Sequence, residues 1–171
     1  MRLLAFIAVV LFFALMWVYV REFAVLSNTI GAGRLVAGSM IFVFSLLVFA
    51  FLRWGDRFKP WKKHVPELVL IGVAGVLFAP LAGSLLNRIA GEEQFQSFEF
   101  VAETAYFASG YGVLKGEKLQ PTGWRLTVRE GKVERRFKYK KQSFFPLSKP
   151  GDPILLPVKR GILGFRVVQL R

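Results

Sequence analysis

The chain has 171 residues, 54% of them hydrophobic and 18 of them phenylalanine, yet 24 lysines and arginines against 11 acidic residues leave a formal charge of +13. Cysteine is absent, which excludes disulfides, thiolate metal sites, a cysteine nucleophile and a lipidated N-terminal cysteine. A composition this apolar and this basic points to a membrane protein facing anionic lipid head groups, with an acidic protein or nucleic acid as less frequent explanations of the charge.

Three apolar runs free of charge organise the first half: Leu3 to Val20, Leu35 to Leu52 and Leu68 to Leu86, each 18 or 19 residues long. As helices rising about 1.5 Å per residue they nearly match a hydrocarbon core of roughly 30 Å. The first run ends in Trp17, Val18, Tyr19 and Val20 and passes to Arg21, Glu22 and Phe23 instead of the small residues of a signal peptidase site, so it reads as an uncleaved span. Trp17, Tyr19, Trp54 and Trp61 suit interfacial belts.

Between the second and third runs lie Arg53, Arg57, Lys59, Lys62 and Lys63, five basic residues in 15, whereas Arg21 and Arg34 are the basic residues of the first connection. The positive-inside bias places the second loop in the cytoplasm, and with it the N-terminus, leaving the C-terminal region outside. That region would be periplasmic in a Gram-negative inner membrane. Topology accounts for these five residues, and a cytoplasmic anionic-lipid surface is the sharper reading. His64, the single histidine, has no neighbouring Cys or second His with which to hold a metal.

The third run carries Gly72, Gly75, Ala79 and Gly83, a helical stripe of small residues continued by Asn87. Small residues let helix backbones approach closely in lipid. The stripe would pack against the other spans, or against a second copy or another membrane protein. Pro80 within it predicts a bend. The runs hold no Asp, Glu, Lys, Arg or His, which argues against an ion or proton pathway.

After Gly91 the pattern becomes amphipathic. Phe95, Phe98, Ala102 and Ala105 share one side of a helix, with Glu92, Gln96, Glu99 and Glu103 on the other, so a helix is expected from Glu92 to Ala108, closed by Gly110. Its acidic residues read as a solvated face. Beyond Tyr111 the signals are those of strands: Trp124 to Arg129 and Val133 to Lys140 alternate about a turn at Glu130 and Gly131, and further strands are expected at Ile154 to Val158 and Leu163 to Leu170. The fold class is therefore a membrane α-helical unit of three transmembrane helices, residues 1–90, followed by a small basic α+β domain, mainly antiparallel β, residues 91–171.

Arg135, Arg136, Lys138, Lys140 and Lys141, interleaved with Phe137 and Tyr139, form the strongest candidate binding surface. Cations with aromatic neighbours suit an acidic protein or lipid, and also single-stranded nucleic acid; the expected outside location disfavours the last. On an exposed edge strand the same charges discourage aggregation. There is no phosphate loop, dinucleotide glycine pattern or zinc-protease motif, and a pair such as Ser109 with Lys115 is commonplace. No cofactor or metal is implied. The expected function is non-enzymatic: an accessory or assembly component of an envelope protein complex, in a setting such as secretion or conjugation machinery, working with other membrane or envelope proteins, anionic lipids or a second copy. An immunity or exclusion protein that blocks an incoming protein is the alternative, and a membrane-tethered nucleic-acid binder a further one.

Overall fold

A computed structural model describes residues 2–107, 121–140 and 142–170. Three long helices come first: α1 (Arg2–Ser27), α2 (Ala32–Trp54) and α3 (Trp61–Ile89), with a 3-10 turn at Gly55–Phe58. Within them Val9–Ser27, Ala32–Trp54 and His64–Ile89 are long and apolar enough to cross a membrane. α1 overruns the first apolar run to Ser27, and α2 begins after Gly31, whose φ of +82 lies outside the helical range, and runs on to Trp54. α3 continues through both Pro66 and Pro80.

α3 is the central helix, packed on α2 and, less extensively, on α1. Its closest approach to α2 is at Gly83, where a Cβ would come 2.7 Å from Ser39 Oγ; at Gly75 it would meet Leu47 and Val43 at 3.4 Å. Ala79 is buried on the same stripe. Gly72 has open space around it, so the packed part of the stripe begins at Gly75, several turns into α3.

The remaining residues form one six-stranded antiparallel, barrel-like sheet in the order β1-β6-β5-β2-β3-β4. Its strands are β1 (Thr29–Ile30), β2 (Glu93–Tyr106), β3 (Gly123–Glu130), β4 (Val133–Tyr139), β5 (Pro153–Arg160) and β6 (Arg166–Val168). β1 lies between α1 and α2 in the chain but pairs with Val167 and Arg166, so the sheet recruits a strand from the helical half. Phe98, Phe100, Leu126, Val128, Phe137, Ile154, Leu156 and Val158 fill the core together with Ile30. Alternation predicts this for β3 to β5. Pro157 is tolerated because its carbonyl faces the short β6 side, where it accepts the Gln169 N–H at 2.9 Å.

Among the described residues the sheet domain contains no helix, so the α+β expectation is corrected to antiparallel β. Where a helix from Glu92 to Ala108 is expected, β2 runs instead; positions 108 and 110, the expected end and stop, lie outside the described residues. The cause is a bulge. Phe98 and Phe100 point inward, Val101 is the extra residue between the pairs Phe100–Val128 and Ala102–Thr127, and beyond it Glu103 and Ala105 lie opposite the inward-facing Leu126 and Trp124. A one-residue slip exchanges the faces of a strand, which makes a strict period of two resemble a helical one. Phe95, expected on the buried side, is 75% exposed.

The expected hairpin forms as β3 and β4, with Glu130 opposite Val133 and Gly131 at φ +61 supplying the positive φ that such a two-residue turn needs. Val133, placed in the sheet core by alternation, is half-exposed at the strand end.

Replacing Gly83 by Leu should destabilise the helical unit by roughly 1–3 kcal/mol, the usual cost of overpacking, whereas Gly72→Leu should be nearly neutral. Thermal unfolding in mild detergent measures both; equal midpoints would refute the packing assignment.

Candidate functional site at the junction of helices and sheet

The ends of α1 and α3 meet the sheet in a set of polar contacts built from residues that interrupt apolar helices. Glu22, 4% exposed, accepts hydrogen bonds from Ser84 Oγ and Arg88 Nη2, both at 2.6 Å. A carboxylate removed from water needs such partners, and here they tie α1 to α3. Lys159 Nζ donates to the Arg88 carbonyl at 3.3 Å, extending the link to β5.

Asn87, 1% exposed, lies in the last turn of α3 and clamps the β5–β6 connection. Its Nδ2 donates to Phe165 O at 3.1 Å, its Oδ1 accepts from Leu163 N–H at 3.2 Å, and its carbonyl accepts from Ile162 N–H at 3.2 Å. Gly161 makes the approach achievable: a Cβ there would fall 1.8 Å from the Asn87 carbonyl oxygen. Asn87 thus uses its side chain on the sheet domain, and the small-residue stripe ends before it.

Asn28 performs the matching task at the other edge. Its side chain donates to Lys138 O at 2.8 Å and accepts from Lys138 N–H at 2.9 Å, while its own carbonyl accepts from Val168 N–H at 3.0 Å. β4 is the last strand of the sheet and β1 the first, so this one residue bridges the two edges and fixes both to the end of α1.

The outer face of the β3–β4 hairpin is divided by charge. Near its turn Arg129 pairs with Glu99 at 3.1 Å and with Glu134 at 3.2 Å. Towards Asn28 the face carries Arg136, then Lys138 opposite Arg125, then Lys140. Among the described residues no carboxylate forms an ion pair with any of these four, and like charges directly opposite one another are unfavourable on a sheet. Lys138 Nζ lies 6.0 Å from the Tyr106 ring centroid.

Arg135 does not join them. Its Nε donates to Glu130 Oε2 at 2.9 Å on the opposite face, and Arg166 Nη1 meets Glu130 Oε1 at 2.7 Å. Burial pushes the Glu130 carboxyl up, but hydrogen bonds and charge from Arg166 and Arg135 outweigh it and hold the group below its ordinary value of 4.5. Lys141 and the Ser109 and Lys115 pair lie outside the described residues.

Glu99 and Glu103, both expected on a solvated helix face, have specific partners. Glu103 accepts the Phe144 N–H at 3.1 Å and the Phe145 N–H at 3.3 Å, and the Ser143 hydroxyl as well. The residues of the second basic cluster sit at the far end of the helices: Arg53 in the last turn of α2, Arg57 in the 3-10 turn, Lys59 just after it, and Lys62 and Lys63 in the first turn of α3. Lys59 pairs with the exposed Asp56 at 2.7 Å, a contact of little energetic weight. Above them an apolar groove of 770 Å³ opens between α2 and α3, bounded by Leu47, Phe51, Trp54, Leu68 and Gly72.

A second cleft, of 370 Å³, lies at the junction itself, between Ala24, Val25 and Asn28 of the α1 end, Arg88, the β4 end at Lys138 and Lys140, and residues 167–170. Sequence reasoning singled out its two lysines and missed Asn28, Arg88 and Glu22. The available signal was Glu22 itself, a carboxylate beside a span, with Ser84 and Arg88 four residues apart on another helix.

Comparisons of the chain with protein-family models, curated proteins and solved structures found no match.

Two outcomes follow from these contacts. Asn87→Ala leaves the Leu163 N–H and Phe165 carbonyl without their partner, at about 1–3 kcal/mol for each group left buried; amide exchange in residues 161–165 should accelerate while that of the hairpin stays unchanged. Because the Glu130 pKa is lower folded than unfolded, its stabilisation is present above pH 4.5 and lost as pH falls through the folded value. Glu130→Gln should therefore unfold at lower temperature at pH 7 and lose less on acidification than the parent chain.

Proposed function

We propose that this chain is a non-enzymatic integral membrane protein that serves as an accessory or assembly component of an envelope complex, presenting a basic β domain to an acidic surface of a partner protein. The observation that carries this reading is the segregated charge on the hairpin: paired near the turn, and without an ion pair among the described residues at Arg125, Arg136, Lys138 and Lys140. Complementary potential steers association and fixes register. The paired polar residues at the helix ends add to it, because a domain held by Asn28, Asn87 and the Glu22–Arg88 pair presents its charged face in a defined orientation.

In this reading the spans are transmembrane, the turn bearing Arg53, Arg57 and Lys59 is cytoplasmic, and the sheet domain lies outside, periplasmic in a Gram-negative cell. The up-down-up course supports it, since the ends of α1 and α3 carry the sheet while the α2–α3 turn is at the opposite end.

The absence of cysteine makes orientation directly measurable. A Lys132→Cys chain should react with a membrane-impermeant maleimide in intact spheroplasts, and a Lys59→Cys chain only after lysis. The reverse pattern would overturn the orientation.

A photo-crosslinking residue at Thr127, which lies opposite Arg136, should capture a discrete protein in intact cells. Arg125→Ser with Arg136→Ser should abolish the adduct. An adduct that persists in the double variant, or none at all in the parent chain, would exclude docking through this face.

A further inference from the structure

We propose that the junction cleft holds the head group of an anionic phospholipid, a site that shares Lys138 and Lys140 with the charged face of the hairpin and so rests in part on that reading. Its lower wall is Ala24 and Val25, inside an apolar segment long enough to span a membrane, and Arg88, Lys138 and Lys140 also border it. No Asp or Glu lines it. Its 370 Å³ falls within the roughly 300–1,000 Å³ of small-molecule sites.

Three observations point to a phosphodiester as occupant. The charge is uncompensated: Glu22 neutralises Arg88, but neither lysine pairs with a carboxylate among the described residues, and Arg125 adds a third cation across from Lys138. The Nε of Arg88 is buried without a hydrogen-bond partner among the described residues, a donor that a phosphate oxygen would satisfy. The position is that of a head group. Asn87 holds the β5–β6 connection against the last turn of α3, and Ile162 and Leu163 on it, with Ile89 beside them, expose large apolar side chains. Exposed apolar residues at the same end of the helices as uncompensated cations mark the boundary between hydrocarbon and water. A phospholipid anchored there would place its chains along α1 and its phosphate against the lysines.

The same chemistry could come from free phosphate, and the proposal commits to lipid. The full chain is purified in detergent doped with equal amounts of phosphatidylglycerol and phosphatidylcholine, and retained lipid is counted by native mass spectrometry. The parent chain should retain the anionic lipid preferentially, and excess inorganic phosphate should leave that preference in place. Lys140→Ser should weaken it about fivefold, the equivalent of the roughly 1 kcal/mol that a basic side chain contributes at an anionic lipid surface. Lys140→Arg should restore it, which separates loss of charge from loss of fold. Lys138→Ser with Lys140→Ser should bring the two lipids to near parity with the thermal midpoint unchanged. Equal retention by the parent chain, a preference that survives in the double variant, or displacement of the lipid by inorganic phosphate would each overturn the site. Loss of the lipid preference with an intact Thr127 adduct would separate this site from the docking face.

Discussion

Asn28 connects three segments that would otherwise end independently. Its carbonyl continues the β1–β6 ladder, its side-chain amide pairs with both backbone groups of Lys138, and its own backbone follows directly from α1. An open sheet edge leaves a row of unpaired N–H and C=O groups. Here one amide occupies part of that row on β4, joins the two edges of the barrel-like sheet and forms part of the wall of the junction cleft. The energy of any one of these bonds is modest, about 1 kcal/mol, but the geometric effect is large because the bonds act where rigid elements meet.

The helical unit and the sheet are stabilised by different physics. Helices as apolar as α2 and α3 would gain little from hydrophobic association in lipid, and their close approach at Gly83 and Gly75 supplies dispersion contacts. The sheet has an ordinary apolar core from Phe98 to Val158 and sheds water to form it. The polar residues Glu22, Ser84, Asn87 and Arg88 occupy the boundary between these regimes, where neither small-residue packing nor core burial can complete the structure.

Much of this was legible from the residues alone. Three charge-free runs gave the helices, and Trp124 to Tyr139 gave the hairpin and the outward direction of Arg136, Lys138 and Lys140. The strand at residues 93–106 was not legible, because Val101 inserts an extra residue and changes which side chains face inward. Arg135 looked equivalent to Arg136 in a basic run, yet the period of two sends it to Glu130 on the other face. The junction was the least readable part. Asn28 and Asn87 find their partners 110 and 78 residues away, at Lys138 and Phe165, and no local pattern announces a contact of that range.

β1 also orders events during synthesis. Ile30 pairs with Arg166, 136 residues later, so at a translation rate of about 5–20 residues per second the strand waits roughly 7–27 s for its partner. Over that interval α2 and α3 are made and join α1 while Thr29 and Ile30 remain without their ladder. The membrane-compatible half must therefore hold its arrangement through helix packing and the Glu22 contacts with Ser84 and Arg88, with the late-made β6 acting as the clasp that ends the waiting period.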